Sequence, residues 1–210
     1  MKIQYLFLIL LSMCAACDSD ADDTFATEKA ITQNTPVVAA KQQTDLNKTV
    51  WQLVGTYKVH PNKDTMVSLQ QKISLLDTIA GTNNDFLSLK PANYSVITPA
   101  EALLFTAEAN ISYPLLQVSE KVNTYFEQLL DTKTNLAVLQ ATVAADTELT
   151  VAEQQQLQFV LAACNTNEEG DGDPDKGDIW KKRYIVAAVK GFEKSAAQAV
   201  FNVALATVAD

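Results

Sequence analysis

The sequence predicts an all-α protein, an irregular bundle of about six helices following an N-terminal address segment. Thr98-Pro99-Ala100-Glu101 and Thr150-Val151-Ala152-Glu153 both have capping-box spacing, a hydroxyl residue with Glu three positions later. Between turn signals, apolar residues recur at steps of three and four, the period of a helix face. The stretch 179–206 is apolar or small over most of its helical circumference, as expected of a helix at the centre of a bundle.

In chain order, residues 45–59 come first. Leu46, Val50, Leu53, Val54 and Tyr57 fit a helix, while Trp51, Leu53, Tyr57 and Val59 fit strand alternation almost as well. Helix is preferred because the next segment is helical, and His60-Pro61-Asn62 ends it. Asp64 is the expected N-cap of a second helix reaching Ala80, with Met66, Leu69, Ile73, Leu76 and Ile79 as its stripe and Gly81 as its stop. Residues 81–97 read as loop. Thr98 then opens a helix to about Ala109, with Pro99 at its first position, where the missing N–H costs nothing. A longer helix is expected from about Ser112 to Leu130, with Pro114 tolerated in its first turn. Its buried side is Leu116, Val122, Phe126, Leu129 and Leu130. Residues 134–145 form a short apolar helix. Thr150 opens another, to Cys164, with Leu157, Val160 and Leu161 inside. The last helix runs from about Ile179 to Ala206. Its polar seam is Lys190, Lys194, Gln198 and Asn202, and its small residues Gly191, Ser195 and Ala199 admit a close neighbour. No internal repeat is present.

The first residues carry a different signal. Lys2 is the only charge before Asp18, and residues 3–13 are almost wholly apolar. That run is too short to span a hydrocarbon core, which needs ~20 residues, and fits a secretory signal peptide. It leads into Cys14-Ala15-Ala16-Cys17. This tetrad resembles the lipobox of bacterial lipoproteins, although Cys14 stands where that motif usually has Leu. The resemblance covers residues 1–17. It implies cleavage after Ala16, lipid attachment (diacylglycerol with palmitate-type acylation) at Cys17, and anchoring in the bacterial cell envelope. Lipidation of Cys14 is the weaker alternative, because it leaves bulky Met13 at the cut. An ordinary signal peptide cleaved after an Ala is the other. Asp18, Asp20, Asp22 and Asp23 come next. In lipoproteins acidic residues here act as sorting signals, to the outer membrane in some groups and to the inner in others; the outer membrane is the preferred expectation.

Three segments are therefore expected: a signal peptide at 1–16, a lipidated cysteine with a flexible linker at 17–44, and a helical domain at 45–210. Residues 18–44 are rich in Asp, Thr, Ala and Gln, a composition that buries little apolar surface. As a flexible chain they would reach about 30 Å. The net charge is −9, and −10 once Lys2 is removed, which argues against nucleic acid as a partner because phosphate contacts need clustered bases. The expected partners are a membrane, through the lipid, and a protein or other envelope component. If Cys17 is acylated and Cys14 discarded, only Cys164 remains, so no intramolecular disulfide is available and the fold rests on its core.

The candidate metal site is Asn167-Glu-Glu-Gly-Asp-Gly-Asp-Pro-Asp-Lys-Gly-Asp178. Calcium loops of EF-hand type place oxygens at positions one, three, five, seven, nine and twelve, with Gly at six for the sharp turn. Here those positions hold Asn167, Glu169, Asp171, Asp173, Asp175 and Asp178, with Gly172 sixth. The loop resembles those of dockerins and thrombospondin type 3 repeats, which implies bound Ca²⁺ with Asp173 contributing its backbone carbonyl. Pro174 stands where those families have Ile or Val. A solvated acidic loop, with Asp178 capping the last helix, accounts for the same residues.

Catalytic motifs are absent. The one histidine, His60, lies in a loop, and the sequence has no GxSxG, Walker loop, HExxH or paired CxxC. Cys164 reads as a small buried residue. The leading expectation is a non-enzymatic, lipid-anchored envelope protein with a binding or structural domain. A second reading takes the basic segment 181–194, with five bases and one acid, as a membrane-active or toxin-like helix. A third is an enzyme of unrecognised type.

Overall fold

The last helix expected from the sequence is two helices folded back on each other, and the domain is assembled around them. The computed structural model describes the backbone of residues 35–165 and 178–209, with side chains from residue 46 onward. Among these the order is α1 (Thr35–Val59), a 3₁₀ turn (Lys63–Thr65), α2 (Leu69–Ala80), α3 (Asn84–Leu89), α4 (Pro99–Thr106) and α5 (Ala109–Ser112). A second 3₁₀ turn (Tyr113–Leu115) leads to α6 (Glu120–Leu130), α7 (Leu136–Ala145), α8 (Val151–Asn165), α9 (Ile179–Phe192) and α10 (Ala196–Val208). The described residues contain no strand, so the fold is all-α, with ten α-helices rather than about six.

The additional helices begin at side-chain caps within long periodic stretches. Ser195 has extended backbone, and its hydroxyl accepts from the Gln198 N–H, so α10 starts there. The expected helix over 112–130 breaks in the same way. Pro114 sits in a 3₁₀ turn, residues 116–119 lie outside any helix, and the Ser119 hydroxyl accepts from Val122 N to start α6. In the expected loop 81–97, the Asn83 side chain accepts from Phe86 N and starts the six-residue α3, which places Phe86 in the core. Asp64 lies in the first 3₁₀ turn, and the N-cap of α2 is Ser68, in a capping box with Gln71. The helix opened by Thr98 ends at Thr106, short of Ala109.

Residues 45–59 are helical. Leu46, Val50, Leu53, Val54 and Tyr57 are buried, whereas Val59, which strand alternation required inside, is 80% exposed. The helix begins at Thr35, ten residues back into the expected linker. Pro36 suits a first helical turn, and Ala39, Ala40, Lys41, Gln42 and Gln43 are good helix formers.

At the centre, α10 packs against α9, α1, α2, α3 and α4. Every residue from Ala197 to Ala206 is buried, which explains the near-continuous apolar circumference of that stretch. Two members of the expected polar seam lie inside. Gln198 Nε2 donates to Asn202 Oδ1 at 2.8 Å, and Asn202 Nδ2 donates to the Ala187 carbonyl at 3.2 Å. The pair thus satisfies these buried amide groups and ties α10 to α9. Gly191 makes the hairpin close: a Cβ placed on it would collide with the Cα of Ala199 and lie 2.5 Å from its nitrogen. Of the small residues noted in the sequence, Gly191 and Ala199 therefore pack against each other across the α9–α10 turn.

Candidate functional site

Most residues singled out for chemistry in the sequence lie outside the described residues: Cys17 of the lipobox, and Asn167, Glu169, Asp171, Asp173 and Asp175 of the acidic loop. Asp178 is described. It occupies the N-cap position of α9, where its carbonyl accepts from Lys182 N and its side chain makes no capping hydrogen bond. Among the described residues no cluster of His, Cys, Asp or Glu is placed to hold a metal ion.

Basic residues of 181–194 engage partners within the domain. Lys181 Nζ donates to the Leu129 carbonyl at 3.0 Å, at the C-terminal end of α6, where exposed carbonyls favour a cation. Lys182 lies 5.9 Å from the Tyr113 ring centroid. Lys190 pairs with Glu193 at 2.8 Å, and Lys194 with Glu101 at 2.6 Å. Cys164 is fully buried. The His60 ring accepts a hydrogen bond from Asn62 N through Nδ1, so it helps form the turn after α1.

The densest polar constellation joins α6 to the connection between α7 and α8. Tyr125 donates its hydroxyl proton to Asp146 Oδ2 at 2.6 Å, and Lys121 Nζ lies 2.9 Å from the same oxygen. Asp146 Oδ1 accepts from Glu148 N at 2.9 Å, and Lys121 also pairs with the Glu148 carboxylate. These hydrogen bonds, Tyr125 first and then Lys121, hold the Asp146 carboxyl down at about 2. Burial, and then the donation to Asp146, push the Tyr125 phenol up. A carboxylate so stabilised is a poor proton acceptor near neutral pH, and both its oxygens are already engaged. The cluster fastens the connection to α6.

In the first turn of α8, Glu153 joins two helix N-termini. Its Oε2 accepts from the Thr150 N–H and hydroxyl at 2.9 and 2.8 Å, completing the capping box of α8. Its Oε1 accepts from the Ser119 hydroxyl at 2.6 Å, and that hydroxyl in turn caps α6. The Ser119 bond, followed by those from Thr150, lowers the Glu153 pKa. Glu153 also lines a groove of about 330 Å³ between the 116–119 segment, α8 and α9. Val118, Ala152 and Phe192 form its accessible apolar lining, over the buried Val122 and Val189.

Sequence reasoning identified Glu153 as a capping residue and missed its bond to Ser119. It also missed the Lys121, Tyr125 and Asp146 cluster. The spacing of Lys121 and Tyr125 placed both on one helix face, and Asp146 before Glu148 was a turn signal, but nothing local linked the two. Compared with known proteins, the chain matches no protein-family model, no curated protein and no solved structure.

Proposed function

We propose that this chain is a lipid-anchored cell-envelope protein whose helical domain does non-enzymatic binding or structural work. The observation that carries the reading is the stretch 11–23, where an apolar run closes on Cys14-Ala15-Ala16-Cys17 and turns at once to acid. Cys17 bears the lipid, and the outer membrane is the preferred site. A single acyl chain gives only marginal membrane binding, so the several chains of a lipidated N-terminal cysteine suit stable anchoring. Among the described residues no helix is long and apolar enough to cross a membrane. The apolar surfaces of α9 and α10 form the core of the domain, so their work is to hold the fold together. The 167–178 loop belongs to the proposal as a calcium site that stabilises the junction between α8 and α9.

Fractionation tests the anchor. Wild-type chain should pellet with membranes and take up labelled palmitate, while Cys17→Ala should lose the label and move to the soluble fraction. A Cys17→Ala chain that still pellets as wild type does would sink the reading.

A further inference from the structure

The groove beside Glu153 has the features of a peptide-docking site. One wall is the segment 116–119, which enters and leaves with extended backbone: φ −64°, ψ 134° at Leu116 and φ −65°, ψ 156° at Ser119. Its side chains alternate, with Leu116 and Val118 half-buried and Gln117 and Ser119 exposed, as along a strand. Among the described residues it has no strand beside it. The Leu116 N–H is bonded to Tyr113, but the N–H groups of Gln117, Val118 and Ser119 meet no partner among the described residues. The same holds for the carbonyls of Leu116, Gln117 and Val118. An extended segment with free backbone groups beside apolar hollows is what strand-addition recognition uses: main-chain bonds give affinity, and pockets for alternate side chains give selectivity.

Charge indicates the occupant. The lining includes two carboxylates, Glu153 and Glu193, and no basic residue. Glu153 is bonded to hydroxyls and an N–H, and no salt bridge among the described residues neutralises it. Glu193 is paired with Lys190 yet 45% exposed. Gln117, Gln155 and Gln156 supply amides to the same lining, and the whole chain is acidic at −9.

We infer that this groove binds an extended polypeptide segment bearing lysine or arginine between apolar residues. The segment pairs with the 117–119 backbone, seats apolar side chains against the half-buried Val118 and Phe192 and the exposed Ala152, and directs its cation to Glu153 and Glu193. The inference deepens the binding-module reading above and rests on it. Its test does not depend on the anchor, so the two can fail separately.

The probe is a fluorescent acetyl-Val-Lys-Val-Lys-Val-amide peptide, titrated by anisotropy into the purified full chain in nonionic detergent. Amide hydrogen exchange is followed in parallel. Saturable binding is expected, with slowed exchange at Gln117, Val118 and Ser119. Glu153→Gln keeps the capping-box geometry, which accepts Gln as well as Glu, and removes the charge. It should weaken binding about threefold, as should Glu193→Gln, each being the loss of one exposed ion pair. The melting temperature checks that both variants fold. Equal affinity for acetyl-Val-Glu-Val-Glu-Val-amide overturns the inference, as does unchanged exchange at 117–119 or full affinity in the double variant. Absence of peptide binding overturns it too, and sedimentation then shows whether a second copy of the chain occupies the groove.

Discussion

Two glycines test the packing at the centre of the domain, because the same substitution should act with opposite sign at each. Gly55 in α1 is exposed, and a Cβ there would meet nothing within 4 Å beyond the local backbone of its own helix. Gly191 in α9 faces the Ala199 backbone, where a Cβ would collide with Cα and lie 2.5 Å from the nitrogen. Helix propensity alone favours alanine over glycine by about 0.5–1 kcal/mol at either site. At Gly55 that is the whole effect, so Gly55→Ala should stabilise by about that much. At Gly191 the obstacle is main chain, which no rotamer change can move, so α9 and α10 must separate. Carbon contacts are optimal at about 3.5–4.0 Å, and a gap of 0.5–1 Å forfeits a quarter to a half of each flanking contact. Overpacking typically costs about 1–3 kcal/mol, and a backbone obstacle places Gly191→Ala at the upper end. Net of propensity, the loss should be about 2 kcal/mol, and the two variants should differ by about 3 kcal/mol. Urea unfolding followed by circular dichroism reads this as a shift in midpoint at constant slope. In a thermal melt, Gly191→Ala should fall by about 4–8 °C. If Gly191→Ala matches or exceeds wild type, as Gly55→Ala should, the close approach of α9 and α10 is refuted.

The buried amide pair gives a second test. Asn202→Ala leaves the Gln198 donor without its partner and frees the Ala187 carbonyl. It should cost about 2–3 kcal/mol in urea unfolding, whereas replacing Gln198 and Asn202 together by Leu should cost much less, because no orphaned amide remains. Acid stability tests the Lys194–Glu101 pair. The Lys194 bond, and then the Thr98 backbone bond, hold Glu101 near 2 against its ordinary 4.5. Its folded-state pKa is depressed, so its stabilisation is present above about 4.5 and is lost as the pH falls towards 2. In pH-dependent melts, Glu101→Gln should retain the capping box and show a shallower decline across that window; an unchanged profile would mean the pair does not form. Calcium tests the loop at 167–178. An extracellular-type site binds at about 10⁻⁴–10⁻³ M, so several millimolar calcium should raise the melting temperature of the full chain relative to chelator. Superimposable melts would remove the metal from the account.

Much of the helical domain can be read from local sequence. Thr98 with Glu101 and Thr150 with Glu153 form their boxes, because a capping box needs only residues three apart and a chain free to turn. The buried faces of α1 and α6 follow their helical spacing, because burial on one side of a helix imposes that period. The functional constellations were less legible. Lys121 and Asp146 sit on different elements far apart in the chain, and no spacing rule connects them. The groove is likewise built from three segments distant in sequence.

By itself, then, the sequence determined the helical class, the two Thr–Glu capping boxes, and most of the apolar faces. These depend on propensity, periodicity and hydrogen bonds within a single turn. Tertiary structure decided where the long periodic stretches break. Across Glu193, Lys194 and Ser195 the apolar period continues, and one straight helix satisfies it as well as two. A straight helix would leave much of that apolar circumference without a partner. Folding at Ser195 lets α10 bury its whole surface among α9 and α1–α4, and Gly191 beside Ala199 allows the two arms to meet. That choice depends on contacts between residues on different elements, which no local pattern records.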